Sequence, residues 1–279
     1  MRVQRVNDVT AIRDEVEIPG LGVLPINAYV VHAEEPVLVD TGVPIRRAEF
    51  MEAVRSIIDP AEIRWVWLSH PDRDHMGSLF DVLAAAPRAR LVTTFAAVGY
   101  LSTEFEVPMH RAYLLNPGQA LDVGGGRKLH AFRPPLFDSP MTCGFYDDAA
   151  GYAFSSDCFG APLPSMEAAL VDDIGEIVPD VVRTGQLLWA GVDAPWVCTA
   201  DPRKFAASYD RLRAFAPEYV FSSHLPPAKG QFDTLLDFLA EAPSTTDFVG
   251  PDQAALEAMM AQAMGGVPAQ PGAPADAPA

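Results

Sequence analysis

The chain is short of cysteine, short of basic residues and without a long apolar run. Its three cysteines, Cys143, Cys158 and Cys198, are widely spaced, odd in number and form no C-x-x-C pair. That excludes a disulfide framework and makes a reducing cytoplasm the expected compartment. Lys and Arg number 20 against 37 Asp and Glu, a formal net charge of −17. Phosphate backbones and anionic membranes need a basic face, so neither nucleic acid nor a lipid surface is an expected partner. No stretch of about 18 apolar residues occurs, and the opening Met1-Arg2-Val3-Gln4-Arg5-Val6-Asn7-Asp8 has no apolar signal region. The expectation is a protein that neither spans a membrane nor follows a classical export signal.

What is present builds a core. Apolar residues make up 49% of the 279 and charged residues only 20%, a globular composition and not a disordered one. The length allows one large domain or two small ones, and the pattern shows neither a repeat nor a second domain. Alternation predicts strands over 9–16, 26–31 and 36–39. An amphipathic helix over 46–58 is stopped by Asp59-Pro60. A strand over 63–68, a helix over 78–85, a strand over 90–94 and a helix over 95–101 follow, an alternation that marks an α/β fold. Residues 102–127 are irregular, and Gly124-Gly125-Gly126 reads as a hairpin turn before a strand over 128–132. No Gly-Lys-Ser/Thr follows, so it is not a phosphate cradle. Residues 161–200 combine a Pro-rich loop, an acidic cluster and a Trp-containing stretch. Asp201-Pro202 opens a helix to about 215, and helices are expected over 231–239 and 252–264. The domain is drawn over 1–264, and the Pro/Ala/Gly stretch 265–279 is expected to be a disordered tail.

The stretch 65–79, Trp-Val-Trp-Leu-Ser-His-Pro-Asp-Arg-Asp-His-Met-Gly-Ser-Leu, organises the rest. A short apolar strand rich in Trp and β-branched residues delivers His70, Asp72, Asp74 and His75. Burying such groups together is costly unless something pairs them, and a metal ion is the usual agent. The competing reading is a polar loop at a strand end. Two later strands end similarly, one in Ser155-Ser156-Asp157-Cys158-Phe159-Gly160 and one in Ser222-Ser223-His224-Leu225-Pro226-Pro227. An earlier strand closes on Asp40-Thr41-Gly42. On local grounds Asp157 is a ligand or a turn cap, and Asp40 is a supporting residue or an Asx turn. His32, His110 and His130 are not assigned to a site. Cys158 would point away from Asp157 on an extended chain.

His70-x-Asp72-x-Asp74-His75 resembles the His-x-His/Glu-x-Asp-His signature of the metallo-β-lactamase superfamily. The fuller run, His-x-carboxylate-x-Asp-His-x-Gly-Ser-Leu, is similar to the diiron domain of flavodiiron proteins, in which an acid replaces the second histidine. By motif order the resemblance covers roughly 20–235. It implies a four-layer αβ/βα sandwich with ligands at the strand-end edge between two sheets. It also implies that Asp40 supports the ligands from behind, that Asp157 bridges two metal ions, and that His224 is the final ligand. One departure is plain. The superfamily supplies a third histidine about 60 residues after the signature, and Arg133-Pro134-Pro135-Leu136-Phe137-Asp138-Ser139-Pro140-Met141 has none. Asp138 is the one ligand-type side chain there.

Carried over residue by residue, the metal-binding set is His70, Asp72, Asp74, His75, Asp157 and His224. Asp74, His75, His224 and Asp157 complete one half; His70, Asp72 and Asp157 leave the other one nitrogen short, to be filled by Asp138 or water. Three imidazoles and three carboxylates form a harder set than histidine-rich zinc sites, so two metal ions are expected, iron favoured over zinc or manganese. The preferred function is to bind or reduce O2 or NO. The chain lacks the flavodoxin-like domain that carries flavin in that family, so electrons are expected from a donor protein. An alternative is a hydrolase that attacks an ester, thioester or lactam of a small-molecule substrate with a metal-bound hydroxide. A second alternative is a non-catalytic sensor or a degenerate single-metal site. A homodimer is compatible with each.

Overall fold

Period-two alternation along short strands sets the architecture of the computed structural model, which describes residues 1–263. The tail expected over 265–279 lies outside the described residues. Among those described, seven strands form the first sheet in sequential order. They are β1 Arg2–Val6, β2 Val9–Ile18, β3 Gly22–Val31, β4 Val37–Val39, β5 Trp65–Trp67, β6 Arg90–Thr93 and β7 Ala112–Leu114. Pairing is antiparallel up to β4 and parallel from β4 to β7. The second sheet holds β8 Ala120–Asp122, β9 Lys128–Phe132, β10 Gly144–Asp147, β11 Tyr152–Phe154, β12 Tyr219–Ser222 and β13 Leu225–Lys229. Its order is β13-β12-β11-β10-β9-β8, antiparallel throughout except for the parallel pair β11–β12. The helices are α1 Arg47–Ile57, α2 Arg73–Met76, α3 Leu79–Ala85, α4 Phe95–Leu101, α5 Met166–Ala169, α6 Pro179–Asp193, α7 Pro202–Phe215, α8 Phe232–Ala240 and α9 Gln253–Ala263.

The side chains sort by parity into three cores. Val37 and Val39 of β4 and Trp65 and Trp67 of β5 point between the sheets. There they meet Phe145 of β10, Tyr152 and Phe154 of β11, and Phe221 of β12. Leu38 and Val66, one residue out of phase, face Phe50 and Val54 of α1 and Leu79 and Val82 of α3. On the far side of the second sheet, Ala153 and Val220 meet Val182 and Ala190 of α6, Phe205 and Leu212 of α7, and Leu235 and Leu239 of α8. Each fully buried large aliphatic or aromatic side chain contributes about 1.5–3 kcal/mol. Helices, sheet, sheet, helices: the expected four layers are present.

The differences from expectation have local causes. The strand expected over 63–68 pairs as β5 only at Trp65–Trp67, because Ile63 still closes the turn Pro60–Glu62 through its N–H to Pro60 O and the chain bends at Ser69. The stretch 161–200 contains a 15-residue helix, α6, started by Pro179 at its first position. Pro226 and Pro227, expected in a loop after His224, lie in β13. That strand is at the sheet edge, where a missing N–H is tolerated. Met1–Thr246 is one compact unit, and a second begins at Asp247 and contains α9. No helix among the described residues is long and apolar enough to cross a membrane.

Candidate metal centre

Four strand ends supply the site. Asp40 follows β4, Ser69 and His70 follow β5, Asp157 follows β11 and His224 follows β12. Since β4–β5 and β11–β12 are parallel pairs, the members of each pair end on the same edge, as ligand-bearing strands do in open α/β sheets. The backbone turns sharply there: Asp40 and Ser156 have φ of 55° and 52°. Few non-glycine residues adopt that region, and such positions persist where surrounding bonds fix them.

The loop after β5 is clamped to the turn after β4. Thr41 N–H and its hydroxyl both donate to the His75 carbonyl, at 2.6 and 2.9 Å. Gly77 N–H donates to Gly42 O at 2.8 Å and Ser78 N–H to Thr41 O at 3.1 Å. A Cβ on Gly77 would overlap the Gly42 carbonyl and the Val43 backbone, so only glycine permits this approach. Asp40, itself buried, accepts from Ser69 N–H at 2.8 Å, from the Ser69 hydroxyl at 2.8 Å and from His75 Nδ1 at 2.9 Å. That fixes the His75 tautomer and leaves Nε2 facing inward. His224 Nδ1 donates to Pro25 O at 2.9 Å with the same result. His70 Nδ1 lies 3.1 Å from Ser69 Oγ and 3.3 Å from Ser156 Oγ.

The three inward nitrogens surround one carboxylate. Asp157 Oδ1 is 3.1 Å from His75 Nε2 and 3.3 Å from His224 Nε2, while Oδ2 is 3.2 Å from His70 Nε2. On the Oδ1 side Asp74 Oδ2 stands 3.5 Å from His75 Nε2 and 3.4 Å from His224 Nε2. On the Oδ2 side Asp138 Oδ2 and Asp72 Oδ2 stand 3.6 and 4.0 Å from His70 Nε2. The ligand-type atoms form compact groups: His70, His75 and Asp157; Asp74, His75 and His224; His70, Asp72 and Asp138; Asp138, Asp157 and Asp193.

The charges are strongly coupled. Burial opposes the charge on Asp157, but His75, His70 and His224 hold it well below the usual carboxylate range. Burial also opposes protonation of His224, yet Asp157 and Asp74 lift it to about 9. His75 is raised well above the ordinary imidazole value by Asp157, Asp74 and Asp40 against the cost of its burial. Asp193 moves the other way from Asp157: burial, then the proximity of Asp157 and Asp138, push it up to about 8. These are the signatures of charged groups that must share compensation in a low-dielectric site.

The residues fit a pair of metal ions. His70 Nε2 and His75 Nε2 are buried and have no hydrogen-bond partner, a costly state for imidazoles that a Lewis acid would relieve. The donors are imidazole nitrogen and carboxylate oxygen, a set suited to Fe, Mn or Zn. All six residues expected as ligands converge here, and Asp40 lies behind His75. Asp138, the ligand-type residue nearest to where a third histidine was expected, stands 3.6 Å from His70 Nε2. Asp193, at the end of α6, was missed. Its signal is the continuation of the buried stripe Val182, Gln186 and Trp189 by a carboxylate one turn on. His110 is exposed, His130 pairs with Asp148 at 3.0 Å, His32 contacts Thr10 Oγ1 at 2.8 Å, and Cys158 is packed in the core beside α6 and α7.

A family model described as "ODP family beta lactamase" matches residues 24–186, more than half of the chain. The chain belongs to the ODP family of beta lactamases. Among curated relatives, this ODP-family chain is 32% identical over 154 residues to diflavin flavoprotein A 1 of Synechocystis, across 55% of this chain and 26% of that protein. It is 30% identical over 134 residues to the anaerobic nitric oxide reductase flavorubredoxin of Salmonella arizonae, across 48% of this chain and 28% of that one. These matches span about a quarter of the relatives' length. Its fold matches the flavodiiron protein of Giardia intestinalis with a TM-score of 0.71 at 19% identity, over 87% of this chain and 58% of that one. Rubredoxin oxygen:oxidoreductase of Desulfovibrio gigas matches with a TM-score of 0.71 at 17% identity, over 87% and 61%. The fold of this chain is therefore the sandwich of flavodiiron cores.

Proposed function

We propose that this chain holds two metal ions, iron favoured, and that the centre binds or reduces O2 or NO. The observation that carries the reading is the division of Asp157. One oxygen faces His75 and His224 at 3.1 and 3.3 Å, and the other faces His70 at 3.2 Å, an arrangement suited to a carboxylate shared by two ions. Asp74, His75, His224 and Asp157 would hold one ion, and His70, Asp72, Asp138 and Asp157 the other. Two such ions, when bound, supply adjacent redox-active centres for a diatomic ligand. The excess of carboxylates over imidazoles favours iron or manganese over zinc. Relatives named as nitric oxide reductase and oxygen:oxidoreductase support the choice of O2 or NO.

The chain's own residues orient and enclose the site. Asp40 and the Pro25 carbonyl hold the Nδ1 protons of His75 and His224, so that each Nε2, once deprotonated, would present its lone pair to a metal ion. Trp189, largely buried, packs against the His224 ring at 5.0 Å between centroids and excludes water from that flank. We assign the electron supply to a donor protein, as the flavin- and rubredoxin-based names of the relatives suggest. We place the protein in the cytoplasm, where its three free cysteines would stay reduced. The test is the metal content and visible spectrum of protein purified without added metal. Two irons per chain and an O2-sensitive absorption are expected; two zincs in a colourless protein would overturn the reading.

A further inference from the structure

Asp193 is the last residue of α6, on a segment with no counterpart in the motifs that define the rest of the site. Its carboxylate lies in one group with those of Asp138 and Asp157, with ligand-type oxygens all within 4.8 Å of one another. Its Oδ2 is buried and finds no hydrogen-bond partner. Three carboxylates gathered this closely repel one another unless a proton or a cation stands among them. An independent observation points to that cation. His70 Nε2 is fully buried, has no hydrogen-bond partner, and is directed at this group, 3.2 Å from Asp157 Oδ2 and 3.6 Å from Asp138 Oδ2.

Asp138 spends its other oxygen on the Thr142 hydroxyl, which donates to Oδ1 at 3.1 Å. Asp72 sits on the rim, with half of its side chain exposed. The oxygen-rich half of the centre thus has one nitrogen, one well-anchored shared carboxylate, one carboxylate with a free oxygen and one on the rim. Asp193 adds an inward carboxylate from a helix whose inner face is held in the core: Val182 and Ala190 are buried there, and Trp189 lies against His224.

The geometry points to Asp193 as a metal ligand of the half built on His70, in the coordination place that the absent histidine would have filled. This half then carries one imidazole and four carboxylates, against two imidazoles and two carboxylates in the half built on His75 and His224. The harder set shifts its preference toward Mn2+ and Fe2+ and away from Zn2+ relative to its neighbour. The proposal rests on the dinuclear reading given above.

The test is titration of the chelator-treated 279-residue chain with Mn2+ alone, followed by electron paramagnetic resonance of free Mn2+, and then with Zn2+ in competition. The native chain is expected to take up two equivalents. Asp193→Asn should keep one at unchanged affinity and lose at least 10–100-fold in the other, a loss of the size seen when a group supporting a metal is removed. Asp193→His should restore the second equivalent and favour Zn2+ over Mn2+ there by about tenfold or more relative to the native chain. His224→Ala should weaken the first equivalent and spare the second. If Asp193→Asn binds both equivalents as the native chain does, Asp193 is not a ligand and the dinuclear reading stands without it. If the native chain takes up fewer than two equivalents, the dinuclear reading fails and the proposal falls with it. Melting curves of the variants without metal separate these outcomes from misfolding, and Asp193→His keeps the question answerable if Asp193→Asn is unstable.

Discussion

The two halves of the proposed centre are built by different means. Around His75 and His224 every imidazole is held from behind by a strong acceptor, Asp40 at 2.9 Å or the Pro25 carbonyl at 2.9 Å. Those acceptors sit on sheet strands or in the clamp between the turn after β4 and the loop after β5. Around His70 the supports are hydroxyls, Ser69 and Ser156, and the added carboxylates come from an irregular loop, Asp138, and a helix end, Asp193. A nitrogen held by a carboxylate is a preset ligand, whereas carboxylates gathered from separate elements need the cation to hold them together. The first half is a scaffolded site, and the second is a site assembled from the periphery.

The change that abolishes this contrast is Asp157→Asn, because Asp157 serves both halves. Metal analysis should find the content reduced from two equivalents to below one, with fold retained by circular dichroism. Retention of two equivalents would mean the halves are independent and would remove Asp157 as the shared group. Removing the metal instead exposes the charge balance. His224 is raised from 6.5 to about 9, so the stability it contributes is fully present below pH 6.5 and is lost as pH rises through about 9. His70 and His75 shift in the same direction, and so does Asp193, at about 8. Asp157, lowered, acts oppositely and matters only when pH falls below the ordinary carboxylate range. Chelator-treated protein should therefore lose melting temperature steadily between pH 6.5 and 9, while metal-loaded protein should hold nearly level. Parallel curves for the two forms would argue against metal at these imidazoles.

Asp40→Asn sharpens the comparison further. It removes the charge behind His75, and a loss of about 10–100-fold in affinity for one equivalent is expected. Ser69 Oγ links Asp40 to His70, so the second equivalent should weaken by less than about tenfold. Equal losses in both would erase the distinction between a scaffolded and an assembled half.

The contrast also explains which parts could be read from the chain. The first half lies in a contiguous motif and at two strand ends, where ligand-type residues directly follow apolar runs; Asp74, His75, His224 and Asp40 are all visible in that way. The sandwich follows from the same strand–helix alternation and from runs such as Trp65-Val66-Trp67, whose parity the structure confirms. Asp138 was legible only as a substitute at an expected position, since nothing in Arg133-Pro134-Pro135-Leu136 marks a strand delivering it. Asp193 was hidden because Gly185 and Gly191 and the stretch before Pro179 disguise a helix, and because its contacts with Asp138 and Asp157 are purely tertiary. Short edge strands such as β7 and β8, three residues each, lack enough residues to display a period.

Gly77→Ala tests the clamp rather than the ligands. The added methyl meets the Gly42 carbonyl and the Val43 backbone, which cannot yield as a flexible side chain can. Destabilisation of about 1–3 kcal/mol is expected, read as a lower urea midpoint without change in slope. Because the clamp carries His75 and not Asp138 or Asp193, the first equivalent of metal should weaken more than the second.

The smallest effect is expected at Arg73, which sits inside the motif between Asp72 and Asp74. Its guanidinium pairs with Glu104, both side chains being about half exposed, and lies 6.0 Å from the centre of the Phe105 ring. An exposed pair of this kind contributes about 0.2–1 kcal/mol and is screened by salt. Arg73→Ala should therefore lower stability by no more than about 1 kcal/mol, less at high ionic strength, and leave both metal equivalents bound. Position in the motif would suggest importance; position in the structure, on the outer face of α2 with its neighbours turned inward, predicts the opposite. Loss of a metal equivalent in Arg73→Ala would show that the loop's outer face helps to set the ligands, and that the clamp to the turn after β4 does not by itself hold them.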